Sequence, residues 1–163
     1  MMTIQPASAA EAYFGGGCFW CMEAAYQEVT EVEDAISGYT NEGVEIVKVT
    51  YNPQKISYAQ LLEIYWRNID PFDKGGQFYD RGHKYQTAIY VGNEVERTAA
   101  EASKAAMEKQ FGQPTAVKIL PVNGFKKADE GHQDYYQKNE TQYKRYKKGS
   151  GREDFLKKMW GEK

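Results

Sequence analysis

The stretch YFGGGCFWCMEAAYQ, residues 13–27, joins the first predicted strand of the chain to the first predicted helix. Tyr13 and Phe14 favour a short strand, and the three consecutive glycines that follow them favour a tight turn. From Cys18 to about Gln27 the sequence lacks glycine and proline and is rich in alanine, methionine and glutamate, which predicts a helix. The chain is therefore expected to begin with a strand, a glycine turn and a helix that starts at a cysteine.

Further elements follow this unit along the chain. Strands are predicted at 32–39, 44–51, 85–91 and 116–122, and helices after Ser57 and Asn93. Ser57 and Gln60 form a capping box at the first of these helices. The second is expected to pack through its small side chains, which are Val95, Ala99, Ala102 and Ala106. Residues 70–84 are predicted to be a long loop, a length typical of functional or disordered segments.

The order of these elements predicts the fold. The first six alternate as β-α-β-β-α-β, the pattern of a ferredoxin-like split sheet. We therefore expect an α/β (α+β) sandwich, with helices on one or both faces of a mixed sheet and an irregular carboxyl-terminal tail. That tail is predicted to contain a short helix after Asp129 and a last helix from Arg152 to Trp160. The length of 163 residues indicates one domain, residues 1–163, in which residues 1–11 are expected to be flexible.

Composition and charge exclude several classes of protein. The chain has 21 basic and 23 acidic side chains, a net charge of −2, which argues against nucleic-acid binding by counterion release. No apolar run approaches the length of a membrane span, and two cysteines with two histidines suggest neither a disulfide scaffold nor a metal site. Residues 138–163 carry nine basic and four acidic side chains. This basic tail is expected to pack near the acidic remainder of the chain, with a basic interaction surface as the alternative.

The two cysteines indicate redox chemistry. Cys18 lies where the glycine turn becomes a helix, and a helix amino terminus stabilises the thiolate, which is the nucleophilic form of cysteine. Cys21 follows one helical turn later, so both sulfurs lie on the same side and a disulfide between them is feasible. Phe19 and Trp20 could hold a small apolar group such as a methyl. The alternative is that both cysteines are small buried hydrophobes.

These residues resemble a known active site. Gly16 to Trp20, together with Glu23, is similar to the cysteine motif of the type A peptide methionine sulfoxide reductases. Other segments resemble that family in the same order, namely 37–40 (SGYT), 49–53 (VTYNP), 70–71 (DP), 76–85 (GQFYDRGHKY) and 132–135 (HQDY). The resemblance extends over about residues 12–160.

The resemblance implies a mechanism. Cys18 attacks the sulfur of a methionine S-sulfoxide, free or in an oxidised polypeptide, and becomes a sulfenic acid. Cys21 then closes a disulfide that thioredoxin reopens, so that the enzyme repairs oxidative damage without a metal or an organic cofactor. Tyr39, Asp80 and Tyr85 match the family's positions for hydrogen bonding or protonating the sulfoxide oxygen. Phe19 and Trp20 match its pocket for the substrate methyl.

The chain departs from the family's pattern after Tyr39. A long glycine-rich loop is missing there, and with it a glutamate that assists protonation of the oxygen. Glu42 and Glu45 could replace this glutamate, and Glu42 is expected to be the better placed because it lies in a turn beside Tyr39. Glu45 shares a face with Val47 and could instead make a structural contact. The tail also lacks the resolving cysteines of many family members, which leaves Cys21 as the only intramolecular resolver.

Two other functions remain open on the sequence. A general thiol–disulfide oxidoreductase could use the C-F-W-C motif without reducing a sulfoxide, and a binding module could have lost its activity with the shortened loop. We expect a cytoplasmic monomer that interacts neither with nucleic acid nor with a membrane. Because Ala7-Ser8-Ala9 resembles the end of a signal peptide, a mature exported form is the alternative location.

Overall fold

The computed structural model describes residues 10–17, 19–73, 75–77, 80–128 and 152–160. The strands are β1 Ala10–Gly16, β2 Val32–Tyr39, β3 Glu45–Tyr51, β4 Gly76–Gln77, β5 Asp80–Arg81, β6 Thr87–Val91, β7 Lys118–Pro121 and β8 Lys126–Lys127. The helices are α1 Phe19–Gln27, α2 Tyr58–Trp66, α3 Glu94–Phe111 and α4 Arg152–Trp160, with a 3₁₀ helix at His83–Tyr85.

The strands confirm the predicted fold class. The main sheet has the order β7-β6-β1-β3-β2-β8, and its four central strands, β6-β1-β3-β2, are antiparallel neighbours as in a ferredoxin-like split sheet. β7 extends this sheet in parallel with β6, and β8 adds a short antiparallel edge next to β2. The strands β4 and β5 form a separate two-stranded sheet. The sheet is therefore mixed, as expected.

The main hydrophobic core lies between one face of the sheet and the helices α1, α2 and α3. Alternate residues of β1 and β3 point into it, because side chains along a strand alternate between the two faces. Phe14 stacks there on the rings of Tyr26, Tyr58 and Tyr65. A smaller cluster occupies the opposite face and is formed by Val44, Ile46, Ala88 and Tyr90, with Tyr13, Leu120 and Phe125 packed against it.

The helix α2 agrees with the sequence, whereas the packing face of α3 does not. Both hydrogen bonds of the predicted capping box are present at Ser57 and Gln60. On α3 the buried residues are Ala100 and Met107. Ala99 of the predicted face packs against the core, but Val95 is 80% exposed and Ala102 and Ala106 are exposed as well, so the rest of the predicted face was wrong. Met107 buries more apolar area than an alanine does. The helix therefore packs with Met107, rather than Ala102 and Ala106, towards the core.

Three other differences concern the chain ends and connections. Ala10 and Glu11, expected to be flexible, pair with Tyr51 and Thr50 as the start of β1. The loop at 70–84 contains β4, β5 and the 3₁₀ helix. The strand β8 was not predicted, and the short helix expected after Asp129 lies outside the described residues. The last helix is confirmed as α4. None of the helices in the described part of the chain is long and apolar enough to cross a membrane.

Candidate functional site

The strands β1, β2, β3 and β6 bring several predicted site residues to one end of the sheet. β1 and β3 have seven residues each and pair from Ala10 opposite Tyr51, so their other ends, Gly16 and Glu45, lie at the same edge. Tyr39, the last residue of β2, is paired with Glu45. The first residue of β6 pairs with Gly16. This end of the sheet, which includes the glycine turn, is called the glycine edge below.

The glycine turn is packed so closely that side chains would not fit. Gly17 has φ of +85°, in the left-handed region that favours glycine. A Cβ at this position would overlap the side chain of Gln77, and a Cβ at Gly16 would overlap the sulfur of Met22. The turn therefore requires glycines because protein atoms approach its backbone from two sides.

Two side chains from distant parts of the chain hold the carbonyl groups of this turn. The hydroxyl of Tyr65 donates to the Gly15 carbonyl oxygen at 2.7 Å, within the buried core. Arg152, the first residue of α4, donates from Nη2 to the Gly16 carbonyl oxygen at 2.8 Å and from Nη1 to that of Asn68 at 2.5 Å. The backbone that leads to Cys18 is thus fixed by hydrogen bonds as well as by packing.

A buried amide also shapes the glycine edge. Gln77 is fully buried; its Nε2 donates to the Asp70 carbonyl oxygen and its Oε1 accepts from the Asp70 amide, each at 2.7 Å. These two hydrogen bonds join Gln77 to Asp70 across the loop, and the Gln77 side chain packs against Gly17. This contact could not be predicted from the sequence, in which Gln77 is only one member of the loop motif.

The helix α1 carries the second cysteine and a buried acid. Cys21 is 5% exposed, and Cys18 lies outside the described residues. Glu23 is fully buried, and its Oε2 accepts from the hydroxyl of Ser37 at 2.7 Å and from the Ser37 amide at 3.2 Å. Since Ser37 precedes Tyr39 by two residues on β2, this carboxylate ties the cysteine helix to the strand that ends in the predicted catalytic tyrosine.

Glu45 is the acidic side chain that the structure places at the glycine edge. It is 5% exposed, and Lys84 Nζ lies 3.7 Å from its Oε2. It shares a face of β3 with Val47, which belongs to the helix-covered core. Lys84 Nζ also lies 5.9 Å from the ring centroid of Tyr85, so this ammonium group is close both to that ring and to Glu45, whose strand partner is Tyr39.

Glu42 has a different environment. It is exposed in the turn between β2 and β3, and its Oε1 accepts from Asn123 Nδ2 at 3.3 Å. The charge of Glu42 acts on Tyr90, which belongs to the cluster on the sheet face away from the helices. Burial raises the pKa of Tyr90 to about 12, and Glu42 makes a smaller contribution to this rise. Of the two acids, Glu45 is therefore the buried one, paired with Tyr39 at the glycine edge, and Glu42 is the exposed one.

The remaining predicted residues have the following places. Trp20 is partly buried in the first turn of α1, next to Phe19, the first residue of that helix. Asp80 begins β5 and pairs with Gln77, which itself packs against Gly17. Tyr85 ends the 3₁₀ helix and is partly buried.

A cavity of about 450 Å³ adjoins the glycine edge at Tyr39. Its other lining residues are Thr40, Asn41, Gly43, Lys126, Lys127 and Ala128. Within the described residues, no group of three or more histidine, cysteine, aspartate or glutamate side chains could hold a metal ion.

The chain combines a ferredoxin-like sheet, a glycine turn held by hydrogen bonds, a helix that begins within a C-x-x-C motif, and a buried acid. These features together define the class of thiol-dependent redox enzymes. Comparison with known proteins narrows this class. The family model described as peptide methionine sulfoxide reductase matches residues 10–45 and 40–163. The chain belongs to this family.

Individual relatives agree with this assignment. The peptide methionine sulfoxide reductase MsrA of Halalkalibacterium halodurans is 40% identical over 168 residues, which cover 92% of this chain and 96% of the relative. The crystal structure of Saccharomyces cerevisiae Mxr1 in reduced form has a TM-score of 0.78 at 25% identity and covers 85% of this chain and 90% of its own. Mxr1 in complex with Trx2 has a TM-score of 0.63 at 22% identity and covers 83% and 90%.

Proposed function

We propose that this enzyme reduces methionine S-sulfoxide to methionine with Cys18 as the nucleophile and Cys21 as the resolving thiol. The observation that supports the proposal is the glycine turn, which immediately precedes Cys18 in the chain and is fixed by packing and hydrogen bonds at the edge occupied by Glu45 and Tyr39. A cysteine that follows this turn would have proton donors for the departing oxygen nearby.

The chemistry balances with the two thiols of the chain. The Cys18 thiolate attacks the substrate sulfur, and the sulfoxide oxygen takes up a proton. The oxygen then passes to the Cys18 sulfur while its bond to the substrate sulfur and the transient sulfur–sulfur bond break, which leaves a sulfenic acid on Cys18 and releases methionine. Cys21 then attacks the Cys18 sulfur, and the oxygen leaves as water. Two electrons have passed from the thiols to the substrate, and the product is a Cys18–Cys21 disulfide.

We assign the protonation of the sulfoxide oxygen to Glu45 rather than Glu42, assisted by Tyr39 and Tyr85. A buried carboxyl group can act as a general acid where a solvated one competes with water. Lys84 adds a positive charge at the same place, which suits an oxygen that gains electron density as its bond to sulfur breaks. In this assignment Asp80 keeps its predicted role as a hydrogen-bonding group, and Phe19 and Trp20 keep theirs at the substrate methyl.

The assignment of the acid leads to a mutational prediction. Glu45→Gln should slow the single-turnover reduction of methionine S-sulfoxide by about 100-fold, the usual contribution of a general acid. Glu42→Gln, a substitution of the same type three residues away, should leave that rate unchanged. Rapid-quench measurement of methionine formation compares the two variants. A slower Glu42→Gln with an unaffected Glu45→Gln would restore the sequence expectation.

Thioredoxin is the proposed reductant of the disulfide, and the complex of Mxr1 with Trx2 supports this choice. We further propose a cytoplasmic location, because a disulfide that must be reduced in every cycle suits a compartment in which thiols are kept reduced. One monomeric domain over residues 1–163 remains the expected organisation.

A coupled assay tests the proposed function. The purified chain, thioredoxin, thioredoxin reductase and NADPH are combined with methionine S-sulfoxide, methionine R-sulfoxide or a sulfoxide-containing peptide. We expect NADPH oxidation that depends on the enzyme and on the S epimer, and none above background with the R epimer. Reduction of insulin disulfides without any sulfoxide-dependent oxidation of NADPH would instead identify a general thiol–disulfide oxidoreductase.

A further inference from the structure

The basic tail sends one side chain into the interior of the protein. Arg152 is 2% exposed, although arginine is among the residues most rarely buried. Its guanidinium group crosses from α4 to the carbonyl oxygens of Gly16 and Asn68. The basic tail was expected either to pack against the rest of the chain or to form a basic interaction surface, and at Arg152 the structure shows packing.

The guanidinium lies next to the backbone that carries the nucleophile. Nη2 is hydrogen-bonded to the carbonyl oxygen of Gly16, two residues before Cys18, and it lies 3.1 Å from the place that a Cβ of Gly17 would occupy. Guanidinium stays protonated at every pH at which a protein is folded, so this is a permanent positive charge. Its charge opposes part of the rise that burial causes in the pKa of Tyr65, whose hydroxyl donates to the Gly15 carbonyl oxygen.

A residue that only held the turn in place by hydrogen bonds would not need a charge. Burying a charged group is unfavourable, and replacing it by a neutral side chain of similar volume is often neutral or stabilising. A positive charge near a cysteine, by contrast, favours the thiolate form in which the sulfur reacts. The position of Arg152 against the glycine turn therefore points to a role in the chemistry.

We propose that Arg152 is a positioning residue of the reductase: it fastens the glycine turn by its hydrogen bonds and keeps the sulfur of Cys18 in the thiolate form by its charge. This inference rests on the proposed role of Cys18. It gives α4, which lies within the basic tail, a direct part in the reactivity of a cysteine near the other end of the sequence.

The test measures the thiol directly and does not require turnover. In a Cys21→Ser background Cys18 is the only thiol of the chain, so its rate of alkylation by iodoacetamide against pH gives its apparent pKa. The variants are Arg152→Gln, which removes the charge but keeps hydrogen-bond donors, and Arg152→Lys, which keeps the charge but loses the planar fork. Lys158→Met removes an exposed charge from the same helix and serves as the control.

We expect Arg152→Gln to raise the alkylation midpoint by about one pH unit. Arg152→Lys should stay close to the parent midpoint but reduce sulfoxide about tenfold more slowly in the Cys21-containing enzyme, because an ammonium cannot reproduce the bidentate geometry. Lys158→Met should change neither quantity. If Arg152→Gln fails to fold, as circular dichroism would show, the turnover of Arg152→Lys decides, and parent-like turnover would overturn the proposal.

Two further results would overturn it. The first is a folded Arg152→Gln with the parent midpoint, and the second is an equal shift in Arg152→Gln and Arg152→Lys, which would leave no role for the charge. Failure of the proposed function is distinguishable from these results. In that case the unsubstituted chain would not reduce methionine S-sulfoxide, whatever the alkylation midpoints were.

Discussion

Replacing Cys18 by serine is expected to abolish sulfoxide reduction, with a loss of at least about 10⁴-fold, as for other enzymes that lose their nucleophile. A serine hydroxyl is not ionised at neutral pH and does not attack the sulfur of a sulfoxide. Cys21 is not expected to take over, because it lies buried within α1 rather than at the glycine turn. The thioredoxin-coupled assay and a single-turnover assay with dithiothreitol both measure this loss.

The serine variant should remain folded, because Tyr65 and Arg152 hold the turn that precedes position 18. An unchanged thermal unfolding midpoint would therefore confirm that the loss is chemical. Methionine formation by Cys18→Ser at a rate comparable with that of the unsubstituted enzyme would remove Cys18 from the mechanism.

Replacing Cys21 by serine is expected to separate the chemical step from recycling. The variant should form about one equivalent of methionine per chain, since the first step uses only Cys18, and should then stop in the presence of thioredoxin. No other cysteine exists in the chain to resolve the sulfenic acid. A dimedone adduct on Cys18 after the burst identifies the trapped intermediate by mass.

Cys21→Ala is the matched control for this variant. Cys21 is buried, and serine introduces a hydroxyl group there whereas alanine does not. Both substitutions should give the same burst and the same arrest if the sulfur alone matters. Sustained thioredoxin-dependent cycling in either variant would discard Cys21 as the resolving thiol and would point to direct reduction of the sulfenic acid.

Those parts of the fold that follow from local patterns were predictable. The β-branched residues of β3 and the capping box at Ser57 depend only on near neighbours in the chain, and both elements form where the sequence indicated. The strand order β6-β1-β3-β2 follows from the alternation of strands and helices. The packing face of α3 was not predictable in the same way, because several apolar stripes on it compete and the sheet selects the one with Met107.

The site was predictable where it lies within one motif and not where distant segments meet. The glycine turn is such a motif. The choice between Glu42 and Glu45 depended on the register of β2 against β3, which places Glu45 on the core face and leaves Glu42 in the solvent-exposed turn. Arg152 bonds to backbone carbonyls 84 and 136 residues away. A carbonyl acceptor leaves no trace in side-chain patterns, so these bonds could be found only from the three-dimensional structure.

Mass spectrometry after a single turnover tests whether the chain's two thiols, Cys18 and Cys21, reduce the sulfoxide and form a disulfide. The reduced enzyme is incubated with one equivalent of methionine S-sulfoxide in the absence of any other reductant, and substrate and protein are analysed by mass spectrometry. We expect methionine, which is lighter than the substrate by one oxygen atom, and a protein that has lost two hydrogen atoms and yields a peptide pair linked through Cys18 and Cys21. An unchanged sulfoxide together with two free thiols would contradict this expectation.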